Sequence, residues 1–164
     1  MPGLRLHPNY HGYQLDHPAC AELLARAAEQ KLVVSLCLAM EDVRMMHPAL
    51  RVPPVNPAPL AALVAKTPGL RLVLLNSFSV LRDERLRQVV RAGEVAVDIS
   101  TCEGAGGVAG LLKWLPPERI VFGSYAPFLY FDAATLKLEE SALEPDLLAA
   151  VQEQNARRLL PESR

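Results

Sequence analysis

The sequence has almost no net charge: 17 Lys and Arg residues stand against 18 Asp and Glu, a formal charge of −1. Such a balance provides no broad attraction to phosphate backbones or anionic lipid, which removes the electrostatic footing of a nucleic-acid-binding protein. No run approaches the roughly 18 apolar residues of a membrane-crossing helix, and the opening MPGLRLHPNY has neither the basic nor the apolar region of a secretory signal. The expectation is a cytoplasmic chain without a membrane or nucleic-acid partner. Cysteine is scarce: Cys20, Cys37 and Cys102 are odd in number and widely spaced, matching neither a disulfide framework nor a CxxC metal knuckle, and read as reduced thiols. Dinucleotide and P-loop fingerprints, low-complexity segments and interdomain linkers are missing too. Apolar residues are plentiful: at 51% of 164 residues they suffice for the core of one α/β domain over residues 1–164.

Five short apolar runs, at residues 4–7, 32–38, 71–76, 95–100 and 119–123, alternate with helical patterns. They are nearly continuous in Val, Leu and Ile, as in parallel strands covered on both faces. Asp16-His17-Pro18 opens the first long helix, whose stripe is Leu23, Leu24, Ala27 and Ala28. The second begins near Asn56-Pro57 and buries Leu60, Leu63 and Val64; the third runs from about Val80 through Leu86, Val89 and Val90. The fourth puts Val108, Leu111, Leu112 and Leu115 on one face before Pro116-Pro117, and the last begins near Pro145 with Leu147, Leu148, Val151 and Leu159. A full eight-unit barrel takes about 250 residues. Five units therefore read as a partial TIM-type barrel, with an open five-stranded doubly wound sheet as the alternative that length does not separate.

The long connections, residues 8–17, 40–56 and 125–144, all follow strands, and in parallel α/β folds ligands bind at the strands' carboxyl ends. His7 and His11 could shuttle protons or ligate a metal there, or His7 could bond loop backbone while His11 is solvated. Cys37, Asn76 and Tyr125 fall near the ends of three strands, which points them toward one mouth; Cys37, within Leu36-Cys37-Leu38, also reads as a small buried hydrophobe. Asp98, inside an apolar strand, requires a structural partner, which leaves Glu103 as the better functional carboxylate. The residues Gly104-Ala-Gly-Gly read as a tight turn rather than an anion cradle. Arg44 and His47 sit in a loop that could cover a site, with Met45-Met46 packing beneath it, and Phe128 belongs to an aromatic stretch that could wall a pocket or form a satellite core.

The segments Gly-Leu-Arg-Leu-His-Pro at 3–8, Val-Ala-Val-Asp-Ile-Ser at 95–100, Arg-Ile-Val-Phe-Gly-Ser-Tyr-Ala-Pro-Phe at 119–128 and Asn-Ala-Arg-Arg-Leu-Leu at 155–160 resemble the carboxyl-terminal part of the amidohydrolase-related, metal-dependent hydrolases. The resemblance implies a (β/α)8 barrel of which these units look like strands four to eight, and a divalent metal such as zinc. It also implies departures: Cys37 and Asn76 stand where the family carries ligand histidines, Tyr125 stands where it carries an aspartate, and its HxH pair has no counterpart here. The functional expectation is an amidohydrolase-like hydrolase of a small polar substrate with a degenerate metal site. His7, His11, Glu103 and Tyr125 are its catalytic candidates, Asn76, Arg44 and Phe128 its substrate contacts, and His7, His11 and Cys37 its weak metal candidates. A non-catalytic relative serving ligand binding or assembly is the alternative. Open sheet edges further suggest a homo-oligomer or a missing amino-terminal part.

Overall fold

A computed structural model describes residues 3–42 and 44–160. Its strands are β1 (Gly3–Leu6), β2 (Val33–Cys37), β3 (Arg71–Leu75), β4 (Glu94–Asp98) and β5 (Ile120–Val121), all parallel and ordered in space as in sequence. A doubly wound sheet needs a point where strand order reverses. This sheet has none, so the open-sheet alternative falls and the strands form an arc of a barrel. No described helix is long and apolar enough to cross a membrane.

Alternation along the strands divides the sheet into two faces. Leu4, Leu6, Val34, Leu36, Leu72, Leu74, Val95, Val97 and Ile120 join the main core, packed under the helices. On the other face Val33, Ala96 and Val121 pack with Leu159, and the strand register aligns Arg5, Ser35 and Val73 across it. Cys37 and Asp98 share that second face, each two residues beyond Ser35 and Ala96, at the carboxyl ends of their strands.

The helices are α1 (Pro8–His11), α2 (Pro18–Glu29), α3 (Leu60–Ala65), α4 (Asp83–Arg91), α5 (Gly107–Leu112), α6 (Phe131–Glu140), α7 (Pro145–Ala149) and α8 (Asn155–Leu159), with a π-helical segment, Ala150–Gln154, between the last two. Pro18 begins α2 as expected, and His17 caps it by accepting from the Ala19 N–H at 3.2 Å. Its buried stripe is Cys20, Leu24 and Ala27; Leu23, expected inside, is 38% exposed because it lies to one side of that i, i+4, i+7 line. The expected loop at 125–144 contains a helix instead. Only Ala134 and Leu138 of α6 are buried, and its other large apolar residues, Phe131 and Leu136, face solvent, so the sequence shows no clear amphipathic stripe.

The carboxyl-terminal helices seal β5. Ile120 donates its N–H to Pro117 O, and its carbonyl accepts from Asn155 Nδ2 at 2.8 Å. The Phe122 N–H donates to Val151 O at 2.8 Å, a carbonyl within the π-helical segment. Asn155 also donates to Pro117 O at 2.8 Å. Replacing this buried amide by alanine leaves the Ile120 carbonyl without its partner and removes one of the two hydrogen bonds to Pro117 O, and Asn155→Ala is expected to lower unfolding free energy by about 2 kcal/mol in urea titration.

Candidate functional site

The ends of β2, β3 and β4 and the loop after β5 meet in one hydrogen-bonded cluster. Cys37, fully buried, donates its thiol to Ala39 O at 3.0 Å. Asn76 follows β3 directly with φ 54°, a left-handed conformation that asparagine tolerates. Its Nδ2 donates to Ala39 O at 2.8 Å and lies 3.8 Å from Cys37 Sγ. That orientation turns Oδ1 toward Ser100 Oγ, 2.7 Å away. Asp98 accepts the Asn76 N–H on Oδ1 at 3.1 Å, and its Oδ2 is 2.8 Å from the same Ser100 Oγ. Tyr125, also left-handed at φ 55°, brings its hydroxyl 3.8 Å from both Cys37 Sγ and Met40 Sδ. A bulky residue in this conformation is costly and persists where its surroundings fix it. Lys137, from α6, donates to the carbonyls of Ile99 and Ser100.

Burial dominates the electrostatics of the cluster. It pushes Asp98 from the ordinary 3.8 up to about 6, against the hydrogen bonds from Ser100 and Asn76 and the charges of Lys137 and Arg5. The Cys37 thiol and the Tyr125 hydroxyl are also pushed up by burial, so both stay protonated near neutrality. Lys137 is pushed down by the same desolvation. Arg5, on the shared sheet face, opposes the shifts of Cys37, Asp98 and Tyr125.

A profile of the amidohydrolase family matches residues 1–161. The chain belongs to that family. No curated protein matches the sequence, but solved barrels do. An uncharacterised TIM-barrel protein from Bordetella bronchiseptica matches with a TM-score of 0.73 and 16% identity over 95% of this chain and 56% of its own. The 5-carboxyvanillate decarboxylase of Sphingomonas paucimobilis matches at 0.69 and 16% over 97% and 58%. A dihydroxybenzoic acid decarboxylase from Polaromonas, solved with manganese and 2-nitroresorcinol, matches at 0.65 and 11% over 90% and 55%. These likenesses show the barrel fold, and the chain spans a little over half the length of each.

Of the site residues expected from the sequence, the amidohydrolase fold gathers Cys37, Asn76 and Tyr125. Phe128 joins them at the rim, stacked on Tyr125 with ring centroids 5.2 Å apart, and is otherwise exposed. His7 and His11 lie together at the end of β1, rings edge to face at 6.5 Å. The Nδ1 of His7 is buried and has no hydrogen-bond partner among the described residues, so it does not bond loop backbone through that atom. Burial, then the charge of Arg5, lowers its pKa. Glu103 is exposed and makes none of the cluster's hydrogen bonds. Arg44 is exposed as well and clasps its neighbour Asp42, at 3.0 Å from Nε, which holds that carboxyl down at about 2. Met45 is 77% exposed and does not pack beneath the loop.

This donor set does not fit a divalent metal. Among the described residues no three His, Cys, Asp or Glu side chains are placed to hold one. The Cys37 proton is engaged by Ala39, and Asn76 presents its amide protons to Cys37 and Ala39 rather than a lone pair. The Tyr125 hydroxyl keeps its proton in this environment. Three members of the cluster escape sequence reasoning: Ser100, Arg5 and Lys137. Arg5 has a signal, because period two places it on the same face as Cys37 and Asp98. Lys137 has none, since only the fold of α6 carries it there.

Proposed function

We propose that this amidohydrolase relative binds a small carboxylic acid at the strand ends without hydrolysing it and without a metal. The observation that carries the reading is the closed hydrogen-bond set at the family's ligand positions, Cys37 with Asn76 and Tyr125. A metal-bound water with lowered pKa needs an ion and its anionic or imidazole ligands, and these side chains supply neutral groups, with the Cys37 and Asn76 protons already directed at protein atoms. Arg5 supports the ligand class: it is exposed, shares the face of Cys37 and makes no ion pair among the described residues. Guanidinium is well matched to carboxylate. The named substrates of two structural relatives, carboxyvanillate and dihydroxybenzoic acid, are aromatic acids, and Tyr125 with Phe128 offers aromatic surface at the same rim.

Incubation with zinc or manganese followed by desalting is expected to leave below about 0.1 metal per chain. A saturating rise in Tm with 2,6-dihydroxybenzoate, strongly reduced in Arg5→Gln and accompanied by no product, is the binding result expected. Stoichiometric metal with chelator-sensitive turnover would overturn the reading in favour of the hydrolase.

A further inference from the structure

Beside the strand-end cluster, the segments after β3 and β4 enclose a groove of about 650 Å³, within the roughly 300–1,000 Å³ typical of small-molecule sites. No member of the cluster lines it. Phe78 and Trp114, the only tryptophan, supply aromatic walls, and the Arg87 guanidinium sits over the Trp114 ring, 5.6 Å from its centroid. One helical turn before Trp114 the wall is smooth, because a Cβ built on Gly110 would meet nothing within 4 Å.

The charges at the rim decide the ligand class. Arg82 and Lys113 are positive, Asp83 and Glu103 negative; all four are exposed, and none forms an ion pair among the described residues. A ligand of one sign meets two like charges here, whereas a ligand carrying both signs finds a counterpart for each. We propose that the groove binds a small aromatic zwitterion, an α-amino acid with a ring side chain. Its ring lies against Phe78 and Trp114, its ammonium faces Asp83 and Glu103, and its carboxylate faces Arg82 and Lys113. This gives Glu103 a role outside the cluster it was expected to serve.

The single tryptophan makes the test direct. L-Phenylalanine titrated into the full chain, with emission excited beyond its own absorbance, is expected to change Trp114 fluorescence saturably, with a midpoint between about 10 μM and 1 mM. L-Phenylalaninamide, which lacks the carboxylate, and 3-phenylpropionate, which lacks the ammonium, are expected to bind at least about tenfold more weakly. Arg82→Gln with Lys113→Gln is expected to weaken phenylalanine binding while circular dichroism and Tm stay those of the parent. No response up to about 10 mM by fluorescence or by the Trp114 indole N–H resonance would overturn the proposal. An equal response to the two singly charged analogues, or an undiminished response in the Arg82/Lys113 variant, would overturn it as well. The strand-end reading is tested with a different ligand and a different arginine, so either can fail alone.

Discussion

Asp98→Asn is expected to stabilise the protein by about 3 kcal/mol at pH 7, and the gain is expected to vanish as the pH falls below about 4. The reason lies in counting protons. Ser100 Oγ is 2.7 Å from Asn76 Oδ1 and 2.8 Å from Asp98 Oδ2, and the Asn76 amide is oriented by Nδ2 donating to Ala39 O. One hydroxyl proton cannot serve two acceptors. If Ser100 donates to an ionised Asp98, the Asn76 carbonyl faces a lone pair at hydrogen-bond distance. With Asp98 protonated, its hydroxyl donates to Ser100, Ser100 donates to Asn76, and both contacts are satisfied. Asparagine at 98 reproduces that second pattern permanently: Oδ1 still accepts the Asn76 N–H, and Nδ2 donates to Ser100.

The direction of the pH dependence follows from the same carboxyl. Its folded value of about 6 lies above the ordinary 3.8, so between those two values the native state holds more protons than the unfolded one. Stability attributable to Asp98 therefore rises as the pH falls through about 6 and is complete below about 4, a change of about 3 kcal/mol. Urea midpoints of the parent and Asp98→Asn, compared at several pH values, cancel the titration of other carboxylates. A difference that stays constant between pH 7 and pH 4 would show that Asp98 titrates as an ordinary carboxyl.

The second large effect is steric. Gly123→Ala is expected to cost about 3 kcal/mol, because the added Cβ would lie 2.7 Å from Asp98 Oδ2, 2.8 Å from its Cβ and 3.1 Å from its Cγ. A flexible side-chain tip could move aside, but this carboxyl is fixed on both oxygens and buried. Gly123 thus lets the chain leaving β5 pass directly over the end of β4. Combined with Asp98→Asn, which keeps the same bulk, Gly123→Ala is expected to remain as damaging as in the parent. Relief of the penalty in the double variant would show that charge rather than volume is at issue.

Strand positions were legible to within one or two residues because continuous Val, Leu and Ile runs bounded by polar residues leave few alternatives. The same reading brought Cys37, Asn76 and Tyr125 to one mouth and gave Asp98 a structural partner. What escaped depends on individual backbone conformations. The left-handed turns at Asn76 and Tyr125 aim both side chains back at Cys37, and no periodicity announces them. Ser100 reads only as the last residue of the 95–100 run, yet its hydroxyl bridges the ends of two neighbouring strands. Glu103 follows the same strand but precedes Gly104 at φ 91°, and the chain turns it out to solvent. Residues 131–140 conceal a helix because two buried positions do not make a stripe.

The seal over β5 bears on how this protein can grow. Ile120 N–H and C=O and Phe122 N–H are each engaged by the segment preceding β5 or by the carboxyl-terminal helices, whereas β1 pairs among the described residues with β2 alone. A sheet that can be extended at both margins supports unlimited stacking of copies, the route to fibres. Among the described residues only the β1 margin is left to accept a strand, so a union of two such sheets through it would leave no margin for a third.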